Sequence, residues 1–223
     1  MQTTQPKNEA RVATEPGFAW DGQDAYLFDI DGTLLRSLDR VHFDSVATSV
    51  RRVTGFEVTL AGIALHGNTD TAILEGMGHS VAERRHELDL ILMPGVKEAL
   101  SHLAGRGALL GVATGNLELI GWIKIEAAGL REWFRFGGFS DHFPVRSELI
   151  GHAARKAREL AGREASVCVV GDTPRDIEAA RANNLPVIAV ATGSFNFDSL
   201  LEFRPEVCAT SLADLMAATR TAP

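Results

Sequence analysis

Two aspartates, Asp29 and Asp31, stand directly after the apolar run Ala25-Tyr26-Leu27-Phe28, and Gly32 and Thr33 follow them. The run is short and closed by an Asp-Gly turn signal, so it reads as a buried strand. Carboxylates clustered at the end of a buried strand repel each other and lose hydration unless something compensates. Either they cap a turn, as Asp-Gly sequences often do, or they hold a cation. Farther on, Thr114-Gly115-Asn116 closes the run "LLGVA", and Gly171-Asp172 closes "SVCVV", with Asp176 four residues later. "GDTPRD" is also a helix start, with Thr173 as N-cap, Pro174 at the first helical position and Asp176 in the first turn. Thr114 could likewise cap a helix beginning near Asn116. Because a helix N-terminus favours anions, a cap and an anion site can coincide there.

For these groups to act together, the strands that carry them must lie side by side. Apolar runs at 109–113, 134–139, 166–170 and 187–190 predict strands, and amphipathic patterns at 95–106, 116–129, 147–160 and 174–184 predict the helices between them. Strands alternating with helices imply a doubly wound α/β fold with a parallel sheet. In such sheets chemistry collects at the carboxyl ends of the strands, near the switch in strand order. From Leu35 to Met93 the pattern contains no convincing strand. "RVHFDSVATSVRRVTG", "GNTDTAILEGMGH" and "SVAERRHELDLIL" read as helices, and Pro94-Gly95 marks the return to the sheet. The organisation expected is a flexible polar tail over 1–22, a core from 23–36 and 93–223, and a small helical cap over 37–92, inserted after the first strand. A short helix at 198–203 and a last strand near Val207 complete the core.

The bulk numbers narrow the partners. With 45% hydrophobic and 23% charged residues the composition is that of an ordinary globular protein. A formal net charge of -7 argues against nucleic acid or an anionic membrane as main partner, though not against an anionic substrate, whose field a metal ion can reverse locally. Cys168 and Cys208 lack any CxxC spacing, so neither a disulfide framework nor a zinc site is expected, and the reducing cytoplasm is the natural compartment. No run of 18 apolar residues occurs, and the polar start lacks the apolar region of a signal peptide.

In order along the chain, Asp29-Ile30-Asp31-Gly32-Thr33, Thr114 in "GVATGN" and "VVGDTPRDIEAA" resemble the motifs of the haloacid-dehalogenase-like hydrolase superfamily, specifically its phosphoglycolate-phosphatase-like phosphatases with a helical cap. The resemblance covers nearly everything from Ala25 to Asp214. It implies a Mg²⁺-dependent phosphatase acting on a small phosphorylated metabolite through an aspartyl-phosphate. The chemistry agrees: a carboxylate on a rigid strand end can attack a phosphoryl group in line, and Mg²⁺ removes the repulsion between the two anions. Asp29 is then the nucleophile. Asp31 is the acid that protonates the leaving oxygen and later activates water, and its backbone carbonyl also ligates the metal. Asp172 supplies a further metal ligand, and Asp176 joins it or holds the metal's waters. Thr114, Gly115 and Asn116 hold the phosphate. The family's third motif is usually a lysine before the last catalytic strand. Here Arg146 stands at that place, whereas Lys156 falls inside the helix, and arginine's planar fork changes the geometry. In the cap, His66, Asn68 and Thr69 of "LHGNTD" are the candidates for touching substrate.

Competing readings share parts of this pattern. A halide-removing relative needs neither Mg²⁺ nor the second aspartate, so Asp31 and Asp172 argue against it. A phosphomutase of the same superfamily would use the same carboxylates. A phosphoreceiver would carry its acids in a different order, and a binding module without turnover would have lost at least one of them, whereas none is missing.

Overall fold

The computed structural model describes residues 9–54, 79–141 and 143–221. His66, Asn68, Thr69 and nearly all of the helix expected from "GNTDTAILEGMGH" lie outside the described residues. In chain order the strands are β1 (Val12–Thr14), β2 (Ala25–Phe28), β3 (Leu35–Ser37), β4 (Leu90–Leu92), β5 (Leu109–Ala113), β6 (Phe136–Gly138), β7 (Val167–Gly171), β8 (Val187–Val190) and β9 (Val207–Ala209). Seven of them form one sheet in the order β1-β9-β8-β7-β2-β5-β6, parallel throughout except for β1. The chain runs outward from β2 to β5 and β6 on one side, then crosses back to β7, β8 and β9 on the other. The carboxyl end of β2 is therefore the switch point, the place where such a sheet leaves a crevice.

Every residue of β2 is buried, because both faces of a parallel sheet are covered by helices. Alternation divides the core in two. Tyr26, Phe28, Val112, Cys168 and Val170 face the layer that includes Leu100, Leu103 and Leu215. Ala25, Leu27, Ala113, Val167 and Val169 face Ile150, Ala153, Ala154 and Ile177. The helices Val96–Gly105, Glu118–Ala127, Arg146–Ala161 and Pro174–Ala182 match the predicted ones to within two residues at every end.

Two expectations need correction. The first 22 residues are not a flexible tail along their whole length. β1 pairs antiparallel with β9, Arg11 forms two hydrogen bonds to Asp198, and the buried Trp20 donates its indole N–H to Thr219. A three-residue edge strand carries too little local pattern to announce itself and depends on its partner. The stretch from Leu35 to Met93 is also not free of strands. β3 and β4 pair antiparallel with Leu35 opposite Leu92, just where the chain leaves and re-enters the core. "DLIL" was expected at the end of a helix, but that helical stretch stops early, in a single 3₁₀ turn at Arg85–Glu87. The helix Val41–Thr54 is present as expected.

Candidate active site

The carboxyl ends of β2, β5 and β7 bring the sequence-predicted groups of the core together. Asp29 follows β2 directly, its backbone N–H bonded to the carbonyl of Val170 on the neighbouring strand. Asp172 follows β7, and Asp176 sits in the first turn of Pro174–Ala182. Oxygens from these three buried acids lie within 4.8 Å of one another. Asp176 is fully engaged. Its Oδ2 accepts from the Thr173 hydroxyl at 2.7 Å and backbone N–H at 3.0 Å, while Oδ1 accepts from Arg146 Nε at 2.8 Å. The helix start read from "GDTPRD" is therefore real, a reciprocal capping box, and it also orients the acid.

Arg146, the first residue of its helix, lies against the same cluster. Its Nη2 stands 3.0 Å from Asp29 Oδ1, an ion pair without hydrogen-bond alignment. Lys156 faces elsewhere, with Nζ 3.4 Å from the Gly137 carbonyl. The geometry thus puts Arg146, and not Lys156, beside the acids. Burial pulls its pKa down, but Asp29 and Asp176 outweigh that and hold it above the usual arginine value. Three carboxylates with one guanidinium leave the cluster negative. Burial raises Asp29 to about 6 against the pull of Arg146, with Asp176 adding to the rise. Burial, then Asp29 and Asp176, raise Asp172 to about 7.

Asp172 is the acid that the protein compensates least. Among the described residues it has no ion-pair partner, and its side chain accepts one hydrogen bond, from Thr33 Oγ1 at 3.1 Å. Space is kept open around it. A Cβ at Gly32 (φ +88°) or at Gly193 would overlap the Asp172 carboxylate. An all-oxygen cluster of net negative charge, cradled by glycines, suits a hard divalent cation such as Mg²⁺. Asp29 and Asp172 have the capacity to ligate it directly, whereas Asp176 has both oxygens occupied.

Asp31 keeps its side chain apart from the three acids. Its carboxylate is 44% exposed and stands outside the three-acid cluster, bonded instead to Lys124 and to Asn116. Any share it has in a metal site falls to its backbone carbonyl, as the resemblance implied. Thr114 is buried, and its hydroxyl accepts from Asn116 Nδ2 at 2.9 Å and Asn116 N–H at 3.3 Å. Gly115 lies beside Arg146, whose Nη1 would be 3.4 Å from a Cβ there. Asp29, Thr114, Gly115, Asn116, Arg146, Asp172 and Asp176 thus occupy one end of the sheet, with Asp31 at its rim.

Two contributors were not read from the sequence, Lys124 and Gly193, and Thr33 was read only as part of the first motif, without a role. Lys124 left a signal, for it shares a buried helix stripe with Ile120, Gly121 and Ile125. A lysine on an apolar stripe demands an acid opposite.

The sequence profile of the haloacid dehalogenase-like hydrolases matches residues 23–184. A phosphoglycolate phosphatase of Mesorhizobium japonicum is 29% identical over 200 residues, covering 80% of this chain and 87% of that protein. Two solved structures share the fold. A predicted phosphatase from Clostridium acetobutylicum superposes with a TM-score of 0.64 at 21% identity, over 90% of this chain and 99% of its own. CbbY from Rhodobacter sphaeroides, solved in complex with phosphate, gives 0.58 at 19% identity over 78% and 87%.

Proposed function

The chain belongs to the haloacid dehalogenase-like hydrolases and is a phosphatase, and from that premise we propose that it hydrolyses a small phosphorylated metabolite of the phosphoglycolate type through a phosphoryl group carried on Asp29. One observation carries the reading: Asp29, at the switch point of the sheet, has Arg146 Nη2 at 3.0 Å and shares its cluster with Asp172 and Asp176. Mg²⁺, held by Asp29, Asp172 and the Asp31 backbone carbonyl, would screen the charge of the phosphate and orient it toward Asp29.

In the first half-reaction an Asp29 oxygen forms a bond to phosphorus while the bond to the leaving oxygen breaks. Asp31, at the solvent-facing rim, gives that oxygen a proton as the bond breaks. The Thr114 hydroxyl and the Gly115 backbone N–H hold oxygens of the phosphoryl group, and the Asn116 amide fixes the Thr114 hydroxyl. Arg146 offsets the charge that Asp29 and the phosphoryl group bring together. In the second half-reaction Asp31 takes a proton from water, which attacks the acyl phosphate and returns Asp29 to its free state. Asp176 holds Arg146 in place through both. The insertion over 37–92 is the part assigned to selecting the leaving group, and the β3–β4 pair at its base supports that division.

The test is phosphate release across a panel of phosphorylated metabolites with Mg²⁺, repeated with excess chelator and with Asp29→Asn. Release that requires Mg²⁺ and vanishes in the variant is expected. Full activity in chelator would remove the metal from the reading, and turnover by Asp29→Asn, with contaminating enzyme excluded, would show that another group attacks.

A further inference from the structure

Lys124 is 2% exposed, in the last turn of the helix Glu118–Ala127, and its ammonium reaches across 93 residues of sequence to Asp31. Nζ lies 2.8 Å from Asp31 Oδ1, 2.7 Å from Oδ2 and 3.1 Å from Asn116 Oδ1. Asn116 closes a ring, donating from Nδ2 to Asp31 Oδ2 at 2.8 Å and to Thr114 Oγ1 at 2.9 Å.

The pair is lopsided. Its cation is buried at 2% while its acid is 44% exposed. A buried ion pair adds little net stability over an apolar residue of similar volume. Nor does Asp31 need a buried partner for hydration, since its side chain already meets solvent. What the lysine does supply is direction. Contacts to both oxygens fix the rotation of the carboxylate, and they do so from the inner side, leaving the outer side open. They also give Asp31 an alternative to joining Asp29, Asp172 and Asp176, where a fourth carboxylate would add repulsion.

We propose that Lys124 is a positioning residue for Asp31, holding its carboxylate at the leaving-group side of the site and apart from the three-acid cluster. The inference rests on the reading of Asp31 as proton donor. The step it serves transfers one proton from the Asp31 carboxyl to the leaving oxygen as the bond from that oxygen to phosphorus breaks and the bond from Asp29 forms. An alkoxide leaving group needs that proton, whereas p-nitrophenolate leaves readily without it. Misplacing the donor therefore penalises alkyl esters and spares the aryl ester.

The experiment compares kcat/KM, which reports phosphoryl transfer to Asp29 and excludes the later hydrolysis that both esters share. The full-length protein with Mg²⁺ is assayed on the best alkyl monoester of the metabolite panel and on p-nitrophenyl phosphate, as wild type, Lys124→Met, Asp31→Asn and the double variant. Lys124→Met is expected to lose about tenfold or more on the alkyl ester and less than about threefold on the aryl ester. The double variant should be no worse than Asp31→Asn alone. Lys124→Gln, which keeps a donor but not the charge, gives the same comparison where methionine impairs folding. Equal losses on both esters, no loss at all, or additive losses in the double variant would overturn the inference. An Asp31→Asn variant without the split would instead remove Asp31 as proton donor and carry this inference with it.

Discussion

The chemistry of the site turns on a charge imbalance between a few side chains, and substitution tests it directly. Arg146 is the cation nearest the proposed nucleophile, so Arg146→Ala should lower kcat by about 10² or more, the scale of one preorganised electrostatic group. Arg146→Lys should recover part of that loss, while Lys156→Ala stays near wild type. The reverse ranking of Arg146 and Lys156 would exclude this assignment. The acids give a second test, on the metal-free protein. Asp29 and Asp172 titrate at about 6 and about 7 in the fold, above the ordinary carboxylate value of about 3.9. Between pH 4 and 7 the folded state therefore holds protons that the unfolded chain has released. Stability from these groups is complete below about pH 4 and is lost as pH rises through 7. Metal-free protein should melt lower at pH 8 than at pH 5, and Mg²⁺, which needs ionised ligands, should raise Tm at pH 8 far more than at pH 5. Asp172→Asn should flatten the pH trend and abolish the Mg²⁺ response. An unchanged pH trend in that variant would mean that Asp172 is not the responsible group. These acids were legible because each closes an apolar run. Lys124 was missed although it lies on an apolar helix stripe, because the acid it pairs with stands 93 residues away in the sequence.

Elements were legible where their signals are local. β2, β5, β7 and β8 are apolar runs of four or five residues, and Pro174–Ala182 announces itself through Thr173 and Pro174. β1 and β3 were not, because Val12–Thr14 and Leu35–Ser37 carry no apolar run, and β4 was not, because Leu90–Leu92 continues the preceding helical pattern. The loop after β8 belongs with them. Thr192 Oγ1 donates to the Gly32 carbonyl, and Arg36 Nη2 donates to the Thr192 carbonyl at 2.8 Å, so the loop is clasped to the turn that carries Asp31. That clasp brings Gly193 against Asp172, where a Cβ would overlap the carboxylate. Gly193→Ala must then displace either the loop or the acid. It should reduce Mg²⁺-dependent turnover by about tenfold or more and weaken apparent Mg²⁺ affinity, with Tm changing by only a few degrees. Mg²⁺ titration of activity, with a melting curve alongside, reads both. Wild-type metal affinity in this variant would show that the loop yields without moving Asp172.

Across the whole molecule, the described groups that we propose act on the phosphoryl centre come from the sheet and the helix starts beside it, at one end of the fold. In the proposed mechanism nothing in that set recognises the part of the substrate that leaves, since Asp29, Arg146, Thr114 and Asp172 are all assigned to the phosphoryl group that every monoester shares. Discrimination between metabolites would then come from groups outside the sheet, and the proposed insertion over 37–92 is placed in sequence to supply them. Its candidates are His66, Asn68 and Thr69. Contacts to the leaving part help only substrates that have one to contact, so alanine at any of the three should lower kcat/KM for the best metabolite about tenfold while changing p-nitrophenyl phosphate hydrolysis little. Asp172→Asn, which acts on the shared phosphoryl group, should depress both substrates alike. The ratio of the two kcat/KM values therefore separates recognition from chemistry even where a variant also lowers the amount of folded enzyme, because that loss cancels in the ratio. If the ratio is unchanged in all three alanine variants, His66, Asn68 and Thr69 do not select the substrate, and other residues of the insertion or the rim must do so.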